Sequence, residues 1–177
     1  MLRNTNKSYG VISVVLHWTM AFALVSLFAA GLYMTDLSYY DSLYHIAPWW
    51  HKSVGLLMLF LLVLRIVWIW LNPKPKPLES HKPWEIKTAN FSHRLLYLLI
   101  FLLCVSGYLI STAKGEGIDF FNWFNVPAIQ ELSAEATDLA GEIHFYLAWG
   151  LIVLAALHAI AALKHHFIDR DNTLMLL

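Results

Sequence analysis

The sequence predicts an all-α integral membrane protein, a four-helix transmembrane bundle formed by one domain over residues 1–177. Hydrophobic residues make up 59% of the 177 residues and charged residues only 14%, whereas a soluble domain has about 25% charged residues. Four stretches are mostly apolar over the roughly 20 residues that a helix needs to cross the hydrocarbon core. A compact soluble fold would have to bury four helices with almost no polar face, so the composition favours a membrane protein.

The predicted spans cover residues 11–34, 50–71, 91–113 and 143–163. The first span is too long for the apolar core of a signal peptide, and Phe28-Ala29-Ala30 lacks the small-x-small cleavage pattern. We therefore expect it to remain as a helix. The single cysteine, Cys104, lies inside the third span and is expected to pack there, so no disulfide framework is predicted.

The positions of lysine and arginine predict that both termini are cytoplasmic. An even number of spans places the termini on one side of the membrane, together with loop 72–90. Of the 12 lysines and arginines, only Lys52 and Lys114 lie on the other side. By the positive-inside rule, the basic side faces the cytoplasm, so we expect a multi-pass membrane protein with both termini in the cytoplasm. The basic loop suits anionic lipid and calls for no nucleic-acid partner.

The connecting loops differ in character. Loop 35–48 is rich in tyrosine and leads into Trp49-Trp50, which is typical of a membrane–water boundary. Residues 72–77, NPKPKP, are expected to be extended because repeated prolines cannot continue a helix. Residues 120–127, FFNWFNVP, are expected to lie as an interfacial segment over the mouth of the bundle. Ser133 is a potential cap for the lead-in to the fourth helix.

Histidines occur at two depths in the predicted bundle. His17, His51, His93 and His144 each lie near the start of a different span, and His158 lies fourteen residues beyond His144. Because the helices alternate in direction, His51 and His144 form an external level. His158 forms an internal level with His17 or His93. Ionisable groups inside a membrane are functional candidates by default, although a lone histidine often only bonds to a neighbouring helix.

A step of fourteen residues is close to four helical turns and about 21 Å of rise, so residues separated by it share a face. From His144 this step reaches His158, and from His51 it reaches Arg65. From His17 and His93 it reaches Gly31 and Gly107, which leave room for a flat macrocycle. Ala148, Leu151 and Ala155 lie between the histidines of the fourth span. Arg65 could pair with a haem propionate through its fork of donors.

Paired imidazoles at two levels favour two six-coordinate haems. A zinc site would need a tetrahedral cluster with thiolates or carboxylates, which these spans lack. A proton relay does not require matched pairs. His17 lies deeper in its span than His93 and therefore fits the internal level better, but the sequence leaves open which of the two completes that pair.

The chain resembles the bacterial cytochrome b561 family of four-helix, dihaem b-type membrane cytochromes. The resemblance covers nearly the whole chain and rests on SVVLHW (13–18), HKSVG (51–55), NPKPKP, SHRLLYLL (92–99), HFYLAWGLIVLAALHAIAALKHHF (144–167) and DNTL (171–174). It implies non-covalent haem b, which agrees with the absence of a C-x-x-C-H motif. It also implies ligation by His51 with His144 and by His17 with His158. Oxidation of periplasmic superoxide to oxygen, with the electrons passed to ubiquinone, is the activity that the resemblance implies.

Each end of such a bundle has candidate reaction residues. The two external cations, Lys52 and Lys114, could steer a small anion such as superoxide, although a lysine there often only reaches the interface. A quinone at the cytoplasmic end needs hydrogen-bond partners and a route to water. The candidates for this role are His93, Lys87, Arg94 and His165.

Two rival functions remain open at this point. The chain could be a cytochrome subunit that serves a hydrogenase or another periplasmic dehydrogenase docked on the external aromatic loops. It could also be a non-redox transporter or proton-relay protein. The absence of helix-breaking motifs at the membrane midplane counts against a transporter.

Overall fold

The computed structural model describes residues 1–78 and 80–171. Within these residues, four helices are long and apolar enough to cross a membrane, which confirms the predicted bundle. They are α1 (Val11–Thr35), α2 (Ile46–Leu71), α3 (Pro83–Ser111) and α4 (Ala134–Phe167). Two short strands lie between α3 and α4, β1 (Ile118–Phe120) and β2 (Phe124–Val126). Neither strand was predicted from the sequence. Residues 172–174 of the DNTL motif lie outside the described residues.

Local capping makes α3 and α4 longer than the predicted spans. Pro83 begins α3 where its fixed φ angle is favourable, and Glu85 accepts a hydrogen bond of 2.8 Å from the Lys82 backbone N–H. Ser133 caps α4 as predicted, because its hydroxyl oxygen accepts from the Ala136 N–H at 3.2 Å. With 34 residues, α4 is about 51 Å long. Both of its ends therefore extend beyond a hydrocarbon core of about 30 Å.

The helices form a ring in which each contacts its neighbours, with the closest packing between α3 and α4 and the sparsest between α1 and α4. A buried layer at mid-height holds the ring together. Met58, Ile100 and Leu151 in this layer each lie seven residues beyond a histidine of the same helix. Met20 and Leu62 complete the layer. The outer surface is formed by exposed apolar side chains such as Phe22 and Trp70, which suits contact with lipid.

Both ends of the described chain lie at one end of the bundle, here called the terminal end. The Asn4 carboxamide accepts from the Gly10 N–H at 2.9 Å and from the Ser13 hydroxyl at 2.6 Å, and it donates to the Pro73 carbonyl at 3.2 Å. The Trp68 indole N–H donates to Ser13 at 2.9 Å. The N-terminal segment is thereby fixed against α1, α2 and the proline-rich loop, which forms neither helix nor strand.

The strands form an antiparallel hairpin over the start of α2, at what we call the hairpin end. Trp49 donates its indole N–H to the Asp119 carboxylate at 2.7 Å, and the buried Ser53 hydroxyl donates to the Asp119 carbonyl at 3.2 Å. Phe121 and Asn122, between the strands, have φ angles of 50° and 58°, which non-glycine residues rarely adopt. The predicted interfacial segment is therefore an ordered cover anchored to α2.

Candidate functional site

The bundle interior brings histidines from different helices together at two levels. At the hairpin end, the ring centroids of His51 from α2 and His144 from α4 are 6.3 Å apart. At the terminal end, the rings of His93 from α3 and His158 from α4 are 5.0 Å apart. All four rings are half-buried between helices. The mid-height layer of Met58, Ile100 and Leu151 separates the two levels.

Hydrogen bonding at the hairpin level favours metal-binding chemistry for His144. The Ser106 hydroxyl donates its hydrogen to the Leu103 carbonyl at 3.0 Å and lies 2.9 Å from Nδ1 of His144. Because that hydroxyl has one hydrogen, Nδ1 of His144 must donate the second bond. In the neutral ring, Nε2 then carries a free lone pair. A ring nitrogen fixed in this way is typical of a histidine whose other nitrogen binds a metal.

His51 and two glycines leave space at the same level. Nδ1 of His51 is buried and has no hydrogen-bond partner within the described residues, which is costly unless a further group satisfies it. Gly31 and Gly107 lie against the two rings, as the fourteen-residue step predicts. A Cβ atom at Gly31 would be 3.5 Å from Cε1 of His51, and one at Gly107 would be 3.1 Å from Cε1 of His144. Glycine thus keeps both flanks of the histidine pair open.

The terminal level contains a cationic network around His17. Arg65 places one guanidinium nitrogen 3.2 Å from Nδ1 of His17, and its Nε donates to the Tyr97 hydroxyl at 2.9 Å. The same guanidinium lies 5.8 Å from the centre of the Tyr97 ring. His17 and Lys74 are close enough to His93 to interact with it electrostatically. Arg65 therefore lies at the internal level, as its spacing from His51 predicts.

Ring separations distinguish the two levels. Imidazole nitrogens bind transition metals at about 2 Å, so two rings on opposite sides of one ion have centroids about 6 Å apart. The 6.3 Å between His51 and His144 meets this requirement. The 5.0 Å between His93 and His158 is too short for those two rings to lie on opposite sides of one ion, which favours His17 as the second ligand at the terminal level.

The predicted lysines occupy different surroundings. Lys52 is exposed and lines a cavity of ≈ 630 Å³ at the hairpin end, between α1, α2 and β1. Lys114 is exposed in the turn after α3. Lys87 is exposed on the first turns of α3, whereas Lys74, which the sequence reading did not single out, donates to the Asn90 carboxamide oxygen beside the terminal level.

The remaining two quinone candidates have different surroundings. Arg94 is exposed on α3. His165 lies in the last turn of α4, where its Nδ1 is 2.8 Å from the Asp169 carboxylate.

Three site residues were missed in the sequence. Tyr97 lies on an inward face of α3, four residues after His93, so helical spacing could have identified it. Ser106 contacts His144 between α3 and α4, and no spacing within α3 points to it. Tyr9 precedes α1 and approaches Tyr97 and Arg65. Burial raises the pKa of the Tyr9 hydroxyl above its usual value, and the nearby Tyr97 hydroxyl adds to that effect.

Four apolar helices with inward histidines at two depths define a multi-pass membrane protein with a redox-cofactor site. The sequence matches the prokaryotic cytochrome b561 family over residues 8–176, and the chain belongs to that family. It is 49% identical over 171 residues to cytochrome b561 homolog 2 of Escherichia coli (strain K12), covering 97% of this chain and 91% of that one. Probable superoxide oxidase CybB of Yersinia pestis is 27% identical over 173 residues, covering 96% and 95%. Cytochrome b561 homolog 1 of Escherichia coli (strain K12) is 27% identical over 162 residues, covering 92% of each chain.

The chain is therefore a bacterial membrane protein that transfers electrons and binds b-type haem. The residues present fit such a group at the hairpin level. His51 and His144 have the required separation, Ser106 leaves Nε2 of His144 free, and the two glycines keep the flanks open.

Proposed function

We propose that the chain holds two haems b and carries electrons from superoxide at the hairpin end to ubiquinone at the terminal end. His51 and His144 hold the outer haem, and His17 and His158 hold the inner one. The observation that carries the proposal is the matched histidine pair at 6.3 Å with Ser106 behind it, together with a second histidine level across the mid-height layer. Bound haem supplies one-electron redox chemistry at each level.

The proposed orientation places both termini in the cytoplasm of a bacterium, with the bundle in the inner membrane. The hairpin end then faces the periplasm. This orientation rests on the excess of lysine and arginine at the terminal end.

Superoxide is the proposed donor because Lys52 lines an open cavity at the hairpin end beside Trp49. Two superoxide ions each lose one electron and leave as oxygen. In this proposal Lys52 attracts the anion into the cavity, and Lys114 is the second lysine of this end, where carboxylates outnumber lysines. One relative carries the name probable superoxide oxidase, at 27% identity.

The two electrons reduce one ubiquinone to ubiquinol, with two protons taken from the cytoplasmic side. In this proposal His93 donates a hydrogen bond to one quinone carbonyl, because its ring separation from His158 is too short for the two to bind one iron from opposite sides. Lys87 and His165 supply further polar contacts near the headgroup region. Lys74, which donates to Asn90, interacts electrostatically with His93.

Haem counting with histidine variants tests the ligand assignment. We expect two haems b per chain in the reduced-minus-oxidised spectrum of the purified protein. His51→Ala and His144→Ala should each lose the outer haem, and His17→Ala and His158→Ala the inner one. His45→Ala, at an exposed histidine of the hairpin end, is the matched control and should keep both. Two intact low-spin haems in His144→Ala would contradict the assignment.

Quinone and superoxide assays then test the direction of electron flow. His93→Ala should keep both haems and slow ubiquinone reduction, whereas loss of a haem in this variant would make His93 a ligand. Lys52→Gln should lower the rate with superoxide most strongly at low ionic strength, because steering by exposed charge is screened by salt. A rate that stays unchanged at every ionic strength would remove Lys52 from the proposal.

A cytochrome subunit that serves a periplasmic dehydrogenase is the second candidate. It is favoured by the aromatic side chains at the hairpin end, where Tyr40 is 95% and Trp123 78% exposed. Such a subunit should co-purify with its dehydrogenase and should show no direct reaction with superoxide. Rapid reduction of the isolated chain by superoxide would exclude this alternative as the main function.

A further inference from the structure

A second group of metal-binding side chains lies at the terminal end, outside both histidine levels. It contains His81 from the loop before α3, His165 from the last turn of α4, and Asp171 beyond α4. One ligand atom of each residue lies within 4.8 Å of the other two. Nε2 of His81 is 2.9 Å from Oδ2 of Asp171, and Nδ1 of His165 is 3.8 Å from the same oxygen.

These separations suit a small divalent cation. Metal–nitrogen and metal–oxygen bonds of about 2.0 to 2.1 Å place neighbouring tetrahedral ligands about 3.3 Å apart. The two printed edges of the triangle, 2.9 Å and 3.8 Å, lie on either side of that value. The two imidazole rings are tilted by 42° to each other with centroids 4.8 Å apart. Shifts of a few tenths of an ångström would therefore bring all three ligand atoms into one coordination shell.

Burial also supports a cation site. The side chains of His81, His165 and Asp171 are only 18%, 16% and 8% exposed, although they lie near the ends of helices and in a loop. The Asp169 carboxylate is 2.8 Å from the same Nδ1 of His165 and is itself paired with Lys164 at 2.6 Å. A cation at Nδ1 therefore replaces this hydrogen bond, and Asp169 keeps Lys164 as its partner.

We propose that His81, His165 and Asp171 form a site for a divalent transition-metal cation such as Zn²⁺. Two imidazoles and one carboxylate favour borderline ions of this kind over Mg²⁺ or Ca²⁺, which prefer oxygen ligands. The bound cation ties the loop between α2 and α3 to the end of α4. His165 lies seven residues, or about 10 Å, beyond His158, so the site is separate from the haem ligands and does not depend on them.

The proposal differs from a simple ion-pair cluster in what it predicts. Without a metal, the ring N–H groups of the two histidines donate hydrogen bonds to the carboxylates, and zinc has no specific place to bind. With a metal site, neutral histidines bind one cation per chain with an affinity that depends on each of the three ligands. Loss of any one of the three ligands should therefore reduce the affinity for zinc by at least about tenfold. This is the lower limit seen even for residues that only support a metal ligand.

Equilibrium dialysis of the haem-loaded, full-length protein against Zn²⁺ is the direct test. The protein should carry an affinity tag without histidine and be held in a neutral detergent. We expect one zinc ion per chain above a buffer control, with Mg²⁺ failing to compete. X-ray absorption at the zinc edge, which is separate from the iron signal, should show nitrogen and oxygen ligands with the scattering of two imidazoles.

Variants assign the zinc to the three side chains. His81→Ala and Asp171→Asn should each raise the zinc dissociation constant at least about tenfold, whereas His45→Ala at the hairpin end should leave it unchanged. Haem content and thermal stability identify any variant that is misfolded. Absence of stoichiometric zinc in the wild type, or equal zinc affinity in wild type, His81→Ala and Asp171→Asn, would overturn the site. Either result leaves the proposed haem ligands untouched.

Discussion

The guanidinium group of Arg65 lies 3.2 Å from Nδ1 of His17 across the α1–α2 contact. Because arginine has no acceptor, Nδ1 of His17 must accept this hydrogen bond, and the neutral ring then carries its proton on Nε2. A histidine that binds iron through Nε2 needs the opposite tautomer. Haem binding at His17 therefore requires Arg65 to turn away from Nδ1, and a propionate of the inner haem offers the guanidinium a new partner.

Removing the Arg65 charge should consequently affect only the inner haem. A nearby cation favours the more electron-rich, reduced iron, so Arg65→Gln should lower the midpoint potential of that haem. We expect a shift on the order of 60 mV, equal to a tenfold change in the equilibrium constant of a one-electron couple. Redox titration followed by visible spectroscopy measures it. Arg94→Gln, at an exposed arginine of the same end, is the control and should leave both potentials unchanged. An unaltered inner potential in Arg65→Gln would show that Arg65 only packs against Tyr97.

Ser106 should be required for tight binding of the outer haem. Ser106→Ala removes the acceptor that fixes the Nδ1 proton of His144, and loss of such a supporting hydrogen bond typically weakens metal binding 10- to 100-fold, roughly. Transfer of haem from the protein to an excess of apomyoglobin reports this loss as faster release of one of two haems. Ser133→Ala should cost about 1 kcal/mol of stability through its lost helix cap without changing haem release. Equal haem release from Ser106→Ala and the wild type would refute the role of Ser106.

Methyl groups at the two glycines should disturb the outer haem unequally. The Cβ of Gly107→Ala would lie 3.1 Å from Cε1 of His144, whereas that of Gly31→Ala would lie 3.5 Å from Cε1 of His51, an ordinary contact. Gly107→Ala should therefore displace the His144 ring and shift the electron paramagnetic resonance spectrum of the outer haem more than Gly31→Ala. Gly150→Ala meets no atom within 4 Å and should raise stability by about 0.5–1 kcal/mol. A larger spectral change in Gly31→Ala than in Gly107→Ala would contradict the closer packing of Gly107 against His144.

The sequence predicted those parts of the site that repeat along single helices. A spacing of fourteen residues was enough to place Gly107 at the external level and Arg65 at the internal level, because the rise and twist of a helix are fixed. Contacts between helices were not predictable, since they depend on how each helix is rotated against its neighbour. Ser106 behind His144 is such a contact, as a serine in an apolar span usually bonds only to its own helix.

The hairpin was missed for a different reason. The segment from Phe120 to Val126 lacks the Asn-Gly or Asp-Gly pair that usually marks a tight hairpin turn, and positive φ angles at Phe121 and Asn122 are not expected from their residue types. The fold there depends on Asp119 and Ser53, which lie 66 residues apart in sequence. Hydrogen bonds between residues this far apart in the chain leave no local pattern in the sequence.

Asp119 should therefore control the order of the whole hairpin. In Asp119→Ala the Trp49 indole loses its acceptor, and the Asn122 N–H, which also bonds to this carboxylate at 3.2 Å, loses its partner. Hydrogen bonds to a charged group contribute about 1.5–3 kcal/mol when they are shielded from water, and this one is partly buried. We expect faster hydrogen–deuterium exchange from Phe120 to Val126 with the histidine pairs still in place, so haem content stays at the wild-type value.

Asp138→Ala, at an exposed aspartate of α4, should leave hairpin exchange unchanged. If the hairpin of Asp119→Ala exchanges no faster than that of Asp138→Ala, the Asp119 carboxylate is not needed for the order of the hairpin. The strands are then held by their own pairing and by Ser53.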